Sequence, residues 1–214
     1  INFVNKDAFV SHEADGPDGL VSCFAYTRNV PGIEKYYTYL KEIFDANHCV
    51  TICEAIGVPY DELDVYVGPN GTFSMMFDFS YTNIDVENED YFRRLDWKVK
   101  DYRDLIYHSQ TSLQKVGWSA PFLENHDQPR SIDKLIRHKE YFTEGTKALA
   151  VMYLLLKGTP FIYQGQEIGT VNFNRTSIDQ FDDLNARSQY EQSLANGFSE
   201  AESIHFLNMR SRDN

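Results

Sequence analysis

Residues 118–163 read WSAPFLENHDQPRSIDKLIRHKEYFTEGTKALAVMYLLLKGTPFIY, which combines two apolar runs with a polar loop and a helical pattern between them. The first apolar run, Trp118–Leu123, has the length of a buried strand. Tyr141–Lys157 is strongly apolar and long enough for a helix, which Gly158 ends. Pro160–Tyr163 predicts a second strand. The order strand, helix, strand is typical of parallel β/α units.

The rest of the chain continues this alternation. Helical spacing of apolar residues predicts helices over Ile33–Ala46, Tyr102–Val116 and Ser199–Met209, and short apolar runs predict strands over Val50–Glu54 and Phe73–Phe79. Long polar loops follow the strands, as in a (β/α)8 barrel, where these loops build the active site. An open doubly wound sheet also fits the alternation, but it more often carries a Gly-rich phosphate loop, which this sequence lacks.

Composition excludes several classes of protein. The chain has 214 residues with 42% hydrophobic and 24% charged residues, which is typical of a soluble globular protein and not of a disordered one. The net charge of −12 argues against non-specific nucleic-acid binding, which needs a basic surface. The longest apolar run, Ala148–Leu156, is too short to span a bilayer. Three cysteines, Cys23, Cys49 and Cys53, complete neither a disulfide framework nor a zinc site, and we expect reduced thiols in a cytoplasmic protein.

Two carboxylates lie where a β/α protein places its chemistry. Glu54 ends the strand Val50–Glu54, and an apolar flank can keep such a side chain protonated as a general acid. Asp127 follows the strand Trp118–Leu123 within the polar run Glu124–Arg130. The alternative is that Glu54 leaves its strand for solvent and that the polar run is a solvated loop with a hydrogen bond between histidine and aspartate.

Five segments resemble the α-amylase superfamily, glycoside hydrolase family 13. Ala120–Ser131 is similar to the fourth signature region of that family, and Thr51–Gly57 to the third. Gly158–Gly169 resembles the segment around the eighth barrel strand, and Ile1–Phe3 the residues just after the second region. Arg210–Asn214 resembles the start of a segment found in the branch of oligo-1,6-glucosidase, trehalose-6-phosphate hydrolase and the sucrose isomerases.

The resemblance assigns roles to four side chains in a retaining glycosidase mechanism, without a cofactor or a metal. It implies that Glu54 is the acid/base and that Asp127 stabilises the transition state by hydrogen-bonding the sugar's 2- and 3-hydroxyls. It implies that His126 hydrogen-bonds the same glucose and that Arg212 reaches the non-reducing glucose. Gln128 follows the catalytic loop and either lines the subsite for the leaving sugar or is a turn residue.

The resemblance also implies that the catalytic nucleophile, an Asp, lies two residues before the position matched by Ile1. We therefore expect residues 1–214 to be a fragment of a single catalytic domain, the C-terminal part of a (β/α)8 TIM barrel with about strands 5–8 and their helices. A retaining glycosidase needs its nucleophile about 5 Å from its acid, so we expect the isolated chain to be inactive. We further expect it to self-associate through the exposed edges of the half-barrel.

The leading functional hypothesis is retaining hydrolysis of α-1,6-glucosidic bonds in short isomalto-oligosaccharides. Trehalose-6-phosphate hydrolysis is the first alternative, but it needs a basic phosphate pocket. A sucrose isomerase fits less well, because the loop Ser131–Ile136 lacks the charged insertion of that group. A non-catalytic amylase-like scaffold subunit is the alternative of another class, and the presence of both carboxylates argues against it.

The remaining charged groups are interpreted as structural or solvated. Arg130 is expected to position Asp127 or to cap a carbonyl. The acidic runs Asp85–Asp90 and Asp179–Asp183 lack the pattern of an EF-hand calcium loop and are interpreted as solvated loops.

Overall fold

A computed structural model describes residues 31–54, 56–87 and 90–212 of the chain. These residues contain three short strands, at Ile52–Glu54 (β1), Met75–Phe77 (β2) and Trp118–Ser119 (β3). They also contain α-helices at Glu34–Ala46 (α1), Leu63–Tyr66 (α2), Val99–Val116 (α3), Ser131–Leu135 (α4), Phe142–Leu154 (α5), Leu184–Ala195 (α6) and Glu200–Arg210 (α7). The chain divides into two compact units. Of the described residues, unit 1 comprises 31–54, 56–78, 108–120 and 157–159, and unit 2 comprises 79–87, 90–107, 121–156 and 160–212.

Unit 1 is built on a parallel sheet in the order β1, β2, β3. Ile52 pairs with Met75, and Met75 pairs with Trp118, so the three strands end at the same edge. Because successive side chains point to opposite faces of a sheet, Cys53 and Met76 enter the core together. Both strand predictions for this region are confirmed, although each strand is shorter than its apolar run.

Two glycines fix how the end of α3 lies in unit 1. Gly68 adopts φ +98°, and a Cβ at this position would lie 1.8 Å from the carbonyl oxygen of Val116. Gly117, which ends α3 as predicted, faces the backbone of Gly68 in return. This contact between two backbones leaves no room for a side chain.

The predicted strands Trp118–Leu123 and Pro160–Tyr163 are wrong in extent. The first forms a strand only at Trp118–Ser119, and the second is not a regular strand. Thr159 N–H donates to Ser119 O at 3.0 Å, and Phe161 N–H donates to Pro121 O at 2.9 Å, so some backbone pairing exists. A parallel ladder would need Pro121 to donate in return, which a proline cannot do.

Unit 2 holds two aromatic and aliphatic clusters. One contains Tyr81, Trp97, Tyr102 and Ile106, and the other contains Tyr91, Phe181, Ala186 and Leu207. Helix α6 packs on α7 in the second cluster, with a buried hydrogen bond of 2.6 Å between the hydroxyls of Ser193 and Ser203.

The predicted helices are confirmed with small shifts in their bounds. Ser199 and Glu202 stand three residues apart at the start of α7, and each side chain binds the other's backbone N–H in a capping box. Helix α3 starts three residues before its predicted start, because the Asp101 carboxylate accepts from Lys98 N–H at 2.9 Å. Among residues 31–54, 56–87 and 90–212, no helix is long and apolar enough to cross a membrane.

Candidate active site

In unit 1, Glu54 is the last residue of β1 and is half-buried. Its neighbour Cys53 points into the core, so the alternation of the strand turns Glu54 to the opposite face. Phe77 pairs with Glu54 across the sheet, and the next residue is Asp78. Asp78 is buried and accepts a hydrogen bond of 2.5 Å from the Tyr60 hydroxyl. Two carboxylates therefore follow neighbouring strands at one edge, and sequence reasoning missed the second.

In unit 2, one carboxylate closes the loop that carries the polar run. Glu124 is only 1% exposed. Its Oε2 accepts from both the backbone N–H and the hydroxyl of Ser131, each at 2.6 Å. Its Oε1 accepts from Arg130 Nη1 at 2.9 Å. Glu124 thereby joins the two ends of the loop, and buried charge-assisted hydrogen bonds of this kind fix a loop strongly.

Inside this closed loop, the backbone turns Asp127 outward. The Asn125 side-chain oxygen accepts from Asp127 N–H at 2.9 Å, which is an Asx turn. The Asp127 side chain remains 42% exposed. His126, 72% exposed, places Nε2 3.4 Å from one Asp127 oxygen. The other oxygen accepts from Arg212 Nη1 at 2.7 Å. The structure thus brings together three predicted site residues, Asp127, His126 and Arg212.

Gln128 is buried and lies beside a lysine. Its Oε1 is 3.4 Å from Lys134 Nζ, which also donates to the backbone oxygen of Thr82 at 2.8 Å. Burial, and secondarily the nearby charge of Arg210, lowers the pKa of Lys134 to about 7. Lys134 therefore links the loop of Gln128 to the segment that contains Thr82, and no pattern in the sequence pointed to it.

Arg130 has the structural role that was expected of it. Its Nη1 donates to Glu124 and also to the backbone oxygen of Gln164 at 2.9 Å. Its guanidinium lies 4.8 Å from the centre of the Tyr163 ring, a cation–π contact. These contacts hold the guanidinium away from solvent, so it serves the loop rather than a ligand.

The interpretation of both acidic runs as solvated is wrong for one residue in each. Asp85 is 1% exposed and accepts from Arg210 Nη1 at 3.0 Å, with Arg94 at the same distance on its other oxygen. The Asp183 side chain is 5% exposed, caps α6 by accepting from Asn185 N–H at 3.1 Å, and lies 3.2 Å from Arg212 Nε. Arginine partners compensate these buried carboxylates, and acidic composition alone gave no sign of that.

No cluster of three potential metal ligands occurs in the described ranges of the chain. Burial raises the pKa of Cys53 to about 12, so this thiol stays protonated at neutral pH. Cys49 is exposed, and Cys23 lies outside the described residues. Of the described cysteines, Cys53 therefore packs in the core and Cys49 carries an exposed free thiol.

The sequence matches the family described as alpha amylase, catalytic domain, over residues 3–214. A probable oligo-1,6-glucosidase of Bacillus subtilis is 39% identical over 204 residues, which are 92% of this chain and 36% of that protein. The solved trehalose-6-phosphate hydrolase of Bacillus licheniformis is 28% identical with a TM-score of 0.78, over 94% of this chain and 36% of that one. The isomaltulose synthase of Protaminobacter rubrum is 29% identical with a TM-score of 0.80, over 94% and 38%.

The chain spans little more than a third of the length of these relatives. The solved relatives are complete TIM-barrel enzymes, so the fold described above corresponds to part of such a barrel. Because the family match extends over nearly the whole chain, this protein belongs to the alpha-amylase catalytic-domain family.

Proposed function

We propose that the protein containing this chain is a retaining α-glucosidase that cleaves α-1,6 bonds in short isomalto-oligosaccharides. One observation carries the proposal: the closed loop of unit 2 presents the half-exposed carboxylate of Asp127 with Arg212 and His126 against its two oxygens. The similarity to a probable oligo-1,6-glucosidase supports this choice of bond.

We assign the proton transfer to Glu54. It would protonate the glycosidic oxygen as the leaving sugar departs, and then take a proton from the water that completes hydrolysis. Its place at the end of a parallel strand agrees with the position of catalytic residues in β/α barrels.

We assign transition-state stabilisation to Asp127. A carboxylate that accepts hydrogen bonds from two sugar hydroxyls also offsets the positive charge that develops on the ring. Arg212 holds one of its oxygens at 2.7 Å, which limits the motion of the carboxylate before substrate arrives. His126 supplies a further donor, and Gln128 is assigned to the leaving-sugar side. The covalent step needs a nucleophilic carboxylate, which the family resemblance places ahead of Ile1.

We also propose that both units belong to one catalytic domain. In this assignment, β1, β2 and β3 are barrel strands 5, 6 and 7, and residues 160–163 occupy the place of strand 8. Glu54 then follows strand 5 and Asp127 follows strand 7, which agrees with the motif order of the family.

The ion pairs of two arginines in unit 2 favour this proposal over trehalose-6-phosphate hydrolysis. A phosphate monoester needs cations that are not already neutralised. Arg212 lies between two aspartates, Asp127 and Asp183, and Arg130 is paired with Glu124. These arginines of unit 2 are therefore compensated, which favours a neutral sugar.

The test is glucose release from isomaltose, maltose and trehalose 6-phosphate by the protein encoded by the complete reading frame that contains this chain. We expect isomaltose to be preferred and Asp127→Asn to lower turnover roughly 10²–10³-fold, the effect of losing one charge-stabilising group. Asp96→Asn, at an exposed carboxylate of unit 2, is the matched control and should leave turnover unchanged. Near-parental turnover in Asp127→Asn would reject the site, and a preference for trehalose 6-phosphate would reject the substrate.

A further inference from the structure

We propose that Asp183 is a positioning residue for this reaction, whose buried carboxylate fixes the Arg212 guanidinium against Asp127. The inference rests on the proposed function, because it deepens the roles given there to Arg212 and Asp127. The family resemblance gives Asp183 no role, and composition predicts that its acidic run is solvated.

The three side chains form a continuous chain of contacts. Asp183 Oδ1 lies 3.2 Å from Arg212 Nε, and Arg212 Nη1 lies 2.7 Å from Asp127 Oδ1. The two carboxylates bind different nitrogens of one planar guanidinium, so together they fix its orientation as well as its position. A single carboxylate would leave the guanidinium free to rotate about that contact.

Burial makes Asp183 the fixed end of this chain. The exposed fractions of the side chains are 5% for Asp183, 49% for Arg212 and 42% for Asp127. Asp183 is also the N-cap of α6, where Oδ1 accepts from Asn185 N–H. Helix α6 is in turn bonded to α7 through Ser193 and Ser203. Asp183 is therefore held by two packed helices. Arg212 follows the end of α7, and without Asp183 its side chain would sample many rotamers.

The surrounding charges agree with this assignment. The hydrogen bond that Arg212 donates to Asp127 and the negative charge of Asp183 raise the pKa of Arg212, so the guanidinium stays charged. Asp183 Oδ2 is buried and has no hydrogen-bond partner within the described part of the chain. A carboxylate that is held in such a place without its full set of donors depends on the nearby cation for compensation. Arg212 is thus drawn toward Asp183 even when substrate competes for its other nitrogens.

Asp183→Asn separates the positioning role from the helix cap. Asparagine caps helices as well as aspartate does, so α6 should keep its N-terminus while Arg212 loses its second charged partner. We expect kcat for isomaltose to fall roughly tenfold, the size of one charge-assisted hydrogen bond, with a smaller change in KM. Asp183→Ser, which keeps a capping hydroxyl, should give the same loss and serves as the second variant if the asparagine protein folds poorly.

Arg212→Ala supplies the decisive comparison. If Asp183 acts through Arg212, Asp183→Asn should have no further effect on kcat once Arg212 is alanine. A purely structural residue would lower activity to the same extent in both backgrounds. Ser199→Ala removes the cap of the adjacent helix α7 and is the matched control, expected to lower Tm but not kcat.

The outcomes separate this inference from the proposed function. If Asp127→Asn and Arg212→Ala both retain parental turnover, the proposed function is wrong and the inference falls with it. If those two variants lose turnover while Asp183→Asn retains it, only the positioning role is wrong. An equal loss from Asp183→Asn with and without Arg212 would likewise overturn the positioning role.

Discussion

Replacing Glu124 by glutamine should destabilise unit 2 more than any other single change of charge in the loop Glu124–Ser131. Glu124 receives three hydrogen bonds, from Arg130 Nη1 and from the N–H and hydroxyl of Ser131. Glutamine has nearly the same shape, but one of its two terminal atoms donates instead of accepting. That amide group must face either Arg130 or Ser131, which are themselves donors.

The magnitude follows from burial. The side chains of Glu124 and Arg130 are 1% and 9% exposed, so removing the negative charge leaves a buried guanidinium without its ion partner. Breaking a buried pair in this way costs about 3–5 kcal/mol. Arg130 keeps the Gln164 carbonyl and the Tyr163 ring, which places the expected loss at about 3 kcal/mol. For a chain of this length that corresponds to a fall in Tm of roughly 6–12 °C.

The assay is thermal unfolding followed by circular dichroism, for Glu124→Gln and for Asp96→Asn as the exposed control. The control should stay within about 2 °C of the parent. A second arm combines Glu124→Met with Arg130→Met, which removes both charges and should restore part of the lost stability. A Glu124→Gln protein that melts with the parent would refute the account of the closed loop, as would a double variant that loses the full sum of its two single changes.

Three further predictions concern stability. The ordinary lysine pKa is 10.5 and that of Lys134 is about 7, so the unfolded chain binds more protons than the folded chain between pH 7 and 10.5. The free energy of unfolding should therefore rise with pH in this range, by up to about 1.4 kcal/mol per pH unit. Urea unfolding at several pH values should show this slope in the parent and not in Lys134→Met. Gly68→Ala places a Cβ against the carbonyl oxygen of Val116 and should lower the free energy of unfolding by about 3 kcal/mol or more, measured by thermal unfolding. Gly57→Ala, at φ +77° in open space, should lower it by only about 1–2 kcal/mol. Equal losses would contradict the close backbone contact. Ser199→Ala should lower stability by about 1 kcal/mol through the lost capping box, and an unchanged denaturation midpoint would show that the cap is not formed.

Periodicity predicted the elements whose buried faces are apolar. Helix α1 and strands β1 and β2 form within their predicted ranges, although both strands are shorter than their apolar runs. Helix α6 was missed because its buried residues are Ala186, Gln189 and Ser193, which carry no hydrophobic signal. Its N-cap, Asp183, was present in the sequence, but an aspartate in an acidic run is not distinctive.

The sequence proposed Glu54 and Asp127 as site residues because polar residues follow apolar runs, and their catalytic roles stay predictions. The structure places His126 and Arg212 beside Asp127. Glu124 and Lys134 were not found, because a charge that is buried beside a distant partner looks like a surface charge in the sequence. The expected self-association of the chain stays a prediction, and light scattering during size-exclusion chromatography tests it.

The roles given to Glu54 and Asp127 can be separated with α-glucosyl fluoride, whose leaving group departs without a proton. In the protein from the complete reading frame, we expect Glu54→Gln to lose isomaltose hydrolysis but to release fluoride in a burst, with azide rescuing turnover by replacing the water that needs a general base. Asp127→Asn should be slow on both substrates, because the developing ring charge is the same for each. Equal activity of Glu54→Gln and the parent on isomaltose would contradict the central assignment.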